Sequence, residues 1–259
     1  METPVGNDHV RFSLLVVIAI FTIVFLLVKS GDNFKKITKA ILFILAVIHI
    51  AYLHMLAVRT GLICFYLGIF MFLAWLLSHH KRKDFFLIAL CLFLPVAAYF
   101  VFPTFKNKIS YLKYDLSSIQ EKTYVPGSSD GNRFVSFKAG WALLKQHPVI
   151  GVGFGDIENE TNEFYEANFP QMSENDKILP SSEWMIHGSG TGWFGIILFS
   201  FVMLVPFLLK EVQKNIFWIL PNIFIAVSYL FDIGLEVQFG VFIHAFITLW
   251  WYKWLQLKE

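Results

Sequence analysis

Asn132–Gly155 reads NRFVSFKAGWALLKQHPVIGVGFG and stands in the one long polar segment of a chain that is otherwise apolar runs. Phe134, Phe137, Trp141 and Leu144 recur at three- and four-residue spacings, which predicts an amphipathic helix with one apolar face. Arg133, Ser136, Lys138 and Lys145 fall largely elsewhere on the wheel. Asp130 or Asn132 is placed to cap this helix. Pro148 ends it, because the residue before a proline avoids helical angles. Gly151, Gly153 and Gly155 follow at every second position, where glycine permits tight turns or close approach to a ligand. A helix and glycine loop of this kind, held between membrane spans, is where chemistry on a lipid-linked substrate is expected.

The rest of the chain supplies the spans. Of 259 residues, 56% are hydrophobic, 18% are aromatic and 29 are phenylalanine. Apolar runs of about 20 residues cross a bilayer as helices. Such runs occupy roughly 12–29, 37–58, 61–78, 85–103, 191–209, 216–231 and 235–255. They are continuous rather than alternating, which selects helices over a barrel. The expected fold is therefore all-α and polytopic, with about seven transmembrane helices. Residues 1–103 form a first bundle, 104–190 one long external loop and 191–259 a second bundle. A net charge of +2 gives no bulk attraction to nucleic acid. Cys64 and Cys91 both fall inside expected spans and read as small buried apolar residues, not as a disulfide or metal pair.

Basic residues set the topology. Lys29, Lys35, Lys36 and Lys39 flank the first connection, and His79-His80-Lys81-Arg82-Lys83 fills the third. Lys210 and Lys214 flank the fifth, and Lys253 and Lys258 follow the last span. These sites are expected on the cytoplasmic side, which puts the long loop and the N-terminus outside. Met1–Val10 has no basic region followed by a cleavable apolar one. An external start of this kind is expected of the C-terminal part of a longer protein, or of a first span that inserts N-out unaided.

Within the external segment, 126–131 is a turn cluster, and 156–177 is acidic with few apolar positions, so a mobile surface loop is expected there. Glu158-Asn159-Glu160 reads as a solvated acidic loop or a cation site. The glycines lack the flanking strand and helix of a dinucleotide loop, and no Asp-x-Asp occurs. Pro180-Ser181-Ser182-Glu183-Trp184-Met185-Ile186-His187 leads into the glycine-rich mouth of the fifth span. If 182–190 is helical, Glu183 and His187 share a face one turn apart. His187 then reads either as a general base beside a carboxylate or as an interfacial ring. Arg59, between the second and third spans, reads either as a snorkelling anchor or as a phosphate ligand.

The motif Arg133…Trp141-Ala142…His147-Pro148-Val149-Ile150-Gly151-Val152-Gly153, with Gly192-Trp193-Phe194-Gly195 opening a span, resembles the O-antigen ligase and polymerase superfamily. Arg59-Thr60-Gly61 is similar to that family's short arginine motif, and Gly6-Asn7-Asp8-His9 to one preceding a middle span. The resemblance implies transfer of a glycan from undecaprenyl diphosphate to an acceptor such as the lipid A core, at the periplasmic face of the bacterial inner membrane, without metal or cofactor. It implies that Arg59 and Arg133 hold the diphosphate, with Trp141, His147, Gly151 and Gly153 in the substrate-binding motif. A histidine activates the acceptor hydroxyl. Where the family has Pro-His-Asn, this chain has Pro180-Ser181-Ser182, which leaves His187 or Glu183 to replace the missing base.

The Arg133 motif and the single large loop favour a ligase over a polymerase. A transporter would instead use polar groups near mid-membrane. Candidates for that reading are His49, His54 and His244, with helix breaks at Pro95, Pro206 and Pro221. An inactive truncated fragment is the remaining reading.

Overall fold

The structure, a computed structural model, describes residues 8–29, 34–79, 97–107, 110–111, 126–210 and 212–256. Among these, every regular element is helical. Besides short helical stretches at 97–101 and 103–107, they are α1 (His9–Lys29), α2 (Lys36–Leu56), α3 (Arg59–His79), α4 (Ser129–Gln146), α5 (Ile157–Asn168), a 3-10 turn (Glu174–Asp176), α6 (Glu183–Leu208) and α7 (Ile216–Phe231). After these come α8 (Gln238–Val241), a π-helical turn (Phe242–Ile247) and α9 (Thr248–Gln256).

Helices α1, α2, α3 and α6 are long and apolar enough to cross a membrane. The expected span at 85–103 lies mostly outside the described residues. Helix α7, with Pro221 inside it, has 16 residues. At about 1.5 Å per residue it covers ~24 Å, less than a full bilayer core. The expected seventh span, 235–255, is helical without a break from Gln238 to Gln256, through α8, a π-helical turn and α9. Just before it, the amides of Gly234 and Leu235 donate to the Glu183 carboxylate, as unpaired amides ahead of a helix can. Gly240 also rests against the backbone of Gly234, leaving no room for a Cβ.

The chain divides into two compact units. The first comprises 1–108, 210–225 and 242–259, and the second 109–209 and 226–241. In the first, α1 packs on α3 through glycines. A Cβ on Gly61 would lie 2.6 Å from Ser13, and one on Gly68 would lie 2.4 Å from Phe21. Small residues of this kind let helices approach where lipid gives no hydrophobic drive. Around them Phe25 meets Phe217 at 4.9 Å and Trp251 at 5.4 Å between ring centroids. Cys64 is buried with a free thiol, and Cys91 lies outside the described residues. Ala57, at φ +50, reverses the chain between α2 and α3. His54 is buried, with Nδ1 on the Ile50 carbonyl and Nε2 on the Tyr66 hydroxyl, both at 2.7 Å. A ring nitrogen on a carbonyl must donate, so Nε2 accepts from Tyr66.

The second unit packs α4 against α5 and α6. Val135, Ala139, Tyr165 and Met172 form its core. The Tyr165 hydroxyl donates to the Ile178 carbonyl at 2.7 Å. Gly140 admits Pro180, whose Cβ would come within 2.8 Å of an added methyl.

Candidate active site at the start of α6

The start of α4 is fixed by Ser128 rather than by Asp130 or Asn132. Ser128 is the N-cap, and its hydroxyl accepts from the Gly131 amide at 3.0 Å. Asn132 is drawn inward instead: its amide donates to Asp176 Oδ1 at 2.7 Å. The same buried carboxylate accepts from the Gly127 amide and the Ser173 hydroxyl, both at 3.1 Å. One aspartate thus ties the turn before α4 to the stretch expected as a mobile loop. That expectation is corrected. Residues 157–168 form α5, and Ile157, Thr161 and Tyr165 bury one face. Glu158-Asn159-Glu160 falls in its first turn, where acidic residues suit the helix dipole.

The apolar face read from α4 is largely not the one the fold buries. Phe134, Phe137 and Trp141 are exposed at 39–42%. The buried face carries Asn132, Val135, Ser136, Ala139, Gly140, Leu143 and Leu144. Small residues win it because α5 and the Pro180 turn come too close for aromatic rings. Lys138 and Lys145 lie among the exposed rings, with Nζ 4.4 Å from the Phe134 centroid and 5.6 Å from that of Trp141.

His147 caps the C-terminus of α4, its amide donating to Leu143 O at 2.9 Å. The glycine loop then clasps a break in α6, where Thr191 and Gly192 leave helical geometry. The amides of Val152 and Gly153 donate to the carbonyls of Ser189 (2.8 Å) and Gly190 (2.9 Å). The Trp193 amide donates to Pro148 O at 2.9 Å. Gly151 (φ +72) and Gly192 (φ +69) sit so close to the opposite backbone that an added Cβ would come within 2.3 and 2.4 Å of it. Gly153 also has positive φ, whereas its Cβ direction is open.

The helical expectation for 182–190 holds. Glu183 and His187 face each other at 3.9 Å between Oε2 and Nε2, a charge contact longer than a hydrogen bond. The Glu183 side chain is 1% exposed. Its Oε1 accepts from the Gly234 amide at 2.5 Å and from the Leu235 amide. The His187 ring is stacked on Phe199 at 4.5 Å and meets the Phe154 edge at 5.6 Å. Arg133 sits in the first turn of α4. Its Nη1 donates to Phe231 O at 3.2 Å, and Nη2 lies 4.0 Å from Asp232 Oδ1. One loop is therefore gripped at Phe231 and Asp232 by Arg133 and at Gly234 and Leu235 by Glu183. Four residues of chain span at most ~14 Å, so the arginine and the Glu183–His187 pair belong to one small region. Among the described residues no group of three or more His, Cys, Asp or Glu side chains is placed to hold a metal ion.

Ser181, expected from the resemblance to stand where the family has histidine, is buried. Its amide donates to Ser136 Oγ at 3.1 Å, and the Ser136 hydroxyl donates to Ser181 Oγ at 2.9 Å. Ser182 donates to Tyr229 O at 3.2 Å. Trp141 meets Trp193 edge to face at 6.1 Å. Arg59 begins α3 in the first unit, and Arg133, Trp141, His147, Gly151, Gly153, Glu183 and His187 all belong to the second. Sequence reasoning missed Phe154, Phe199, Asp176 and the 231–235 loop as parts of this region. No local spacing marks them, because each meets its partner only through the fold.

A family model described as O-antigen ligase matches residues 42–200, a stretch that holds Arg59, Arg133, Trp141, His147, Gly151, Gly153, Glu183 and His187 but not the 231–235 loop. No curated protein matches the chain. The apolar spans and this match, over more than half of the sequence, make it a membrane protein that belongs to the O-antigen ligase family.

Proposed function

We propose that this chain transfers a glycan from undecaprenyl diphosphate to an acceptor hydroxyl, of the lipid A core in a ligase, on the outer face of the bacterial inner membrane. The observation that carries the reading is the loop 231–235, held by Arg133 on one side and by Glu183 beside His187 on the other. In the reaction the acceptor oxygen forms a bond to the anomeric carbon of the donor. The bond from that carbon to the diphosphate breaks, and the electron pair leaves with the lipid diphosphate. Negative charge grows on that leaving group, and a guanidinium beside it lowers the barrier. The hydroxyl proton passes to His187. Its Nε2 lies 3.9 Å from the buried Glu183 carboxylate, a charge contact that favours the ring once it has taken the proton. Glu183 acts through the ring by stabilising its charged form. The role of Arg59 as a second diphosphate ligand rests on its Arg59-Thr60-Gly61 motif at the start of α3. The external segment at 104–190 is read as periplasmic from the charge pattern of its flanking loops.

The test is transfer in proteoliposomes holding the undecaprenyl-diphosphate-linked glycan, with and without lipid A core. The wild type is expected to form glycan-capped core. His187→Asn is expected to lose about 10²- to 10⁴-fold in rate, the range of a general base, with Glu183→Gln falling between. Wild-type rates in His187→Asn would sink the proposed base. Longer lipid-linked glycan from donor alone would instead establish a polymerase of the same superfamily.

A further inference from the structure

The outer face of α4 has the composition of a surface that lies on a membrane. Phe134, Phe137, Trp141 and Lys145 are exposed in sequence at three- and four-residue steps, with Lys138 between them. They occupy the side of the wheel opposite the core-facing residues. Beyond the helix, Val149 and Ile150 are 77% and 81% exposed. Such large apolar side chains at a loop tip, next to aromatic rings and two lysines, are costly in water and match the boundary between headgroups and acyl chains.

Two further observations identify the occupant. The Trp141 ring meets Trp193, which opens the apolar part of α6 after its break. From there Phe194, Ile197, Leu198 and Phe201 are exposed in succession along the span, as side chains facing lipid are. The aromatic face of α4 is thus continuous with the lipid-facing side of α6. The charge of the unit is divided as well. Lysines lie on this face of α4, and exposed Glu158, Glu163 and Glu166 lie on α5, which covers the opposite, core-facing side of α4. That division suits an anionic bilayer surface against the lysines.

We infer that α4 and the 149–150 tip dock into the anionic headgroup layer of the chain's own membrane, with the aromatic rings at the acyl boundary and Lys138 and Lys145 on lipid phosphates. This holds the Arg133 end of α4 at headgroup depth. The inference is independent of the reaction proposed above.

The experiment places single nitroxide labels on the full chain in phosphatidylglycerol-containing nanodiscs, after Cys64→Ala and Cys91→Ala. Labels go at Phe134→Cys and Ile150→Cys, with Asn159→Cys on α5 as the aqueous reference. Collision with oxygen, which concentrates in lipid, is compared with collision with a water-soluble nickel complex. The oxygen-to-nickel ratio is expected to be severalfold higher at 134 and 150 than at 159. Replacing phosphatidylglycerol by phosphatidylcholine is expected to lower it, as is Lys138→Gln with Lys145→Gln. Equal ratios at all three positions would overturn the inference. Protection of 134 and 150 from both reagents would also overturn it, by showing that protein covers this face. Retained near-wild-type thermal unfolding of each labelled variant separates a misfolded chain from either result.

Discussion

Gly192→Ala is expected to open the clasp between the glycine loop and the break in α6. Gly192 has φ +69 and ψ −157, a region essentially reserved for glycine, and holding another residue there costs about 1–3 kcal/mol. The new Cβ would lie 2.4 Å from Pro148 O and 2.8 Å from Val149 C. Those atoms are backbone and cannot swing aside, so the Trp193 amide must give up Pro148 O, at about 1 kcal/mol. The sum is ~2–4 kcal/mol, or roughly thirtyfold to several hundredfold in the population of the opened loop. Gly153→Ala is the control. It also places alanine at positive φ, but nothing lies within 4 Å of its Cβ. Only the backbone term of about 1–2 kcal/mol remains. Hydrogen–deuterium exchange on protein in nanodiscs reads both variants at the amides of Val152, Gly153 and Trp193. Exchange there should accelerate much more in Gly192→Ala than in Gly153→Ala. Equal acceleration would refute the steric argument, and no acceleration in either would refute the clasp.

Two further outcomes are expected. Asp176→Ala leaves three donors without their carboxylate, at a cost of ~3 kcal/mol or more, so native-state proteolysis between 169 and 180 should accelerate by about a hundredfold or more; unchanged cleavage would show that the stretch is held by other contacts. Ser181→His should lower the thermal midpoint without raising transfer, because position 181 is buried against Ser136. A gain in transfer at unchanged stability would mean that the base belongs at 181 and not at His187.

Long apolar runs were readable as helices because lipid permits few other backbone arrangements. Hence α1, α2, α3 and α6 stand where their runs stand. The ends of α4 were half readable: Pro148 stops it for a purely local reason, whereas its cap is chosen by competition. Asn132 was a sound candidate by residue type, and it was drawn away by Asp176, 44 positions later. The aromatic periodicity of α4 was readable as an apolar stripe, but not that another face would be the buried one. Both faces of that helix are apolar enough to bury, and only the closeness of Pro180 and Tyr165 selects the face with Ala139 and Gly140.

The same division runs through the candidate site. The sequence alone determined that α6 would carry Glu183 and His187 one turn apart, because helical geometry fixes that from their spacing. It also determined the motif Arg133–Gly153 and with it the family. Only the tertiary structure decided that Gly151 abuts the backbone of Gly190 and Thr191 and Gly192 that of Pro148 and Val149, that Ser181 is buried, and that Arg133 and Glu183 hold one loop at 231–235. These depend on contacts between residues about 40 to 100 positions apart. Such contacts are settled by which surfaces fit when the helices pack, and no periodicity along the chain records that fit.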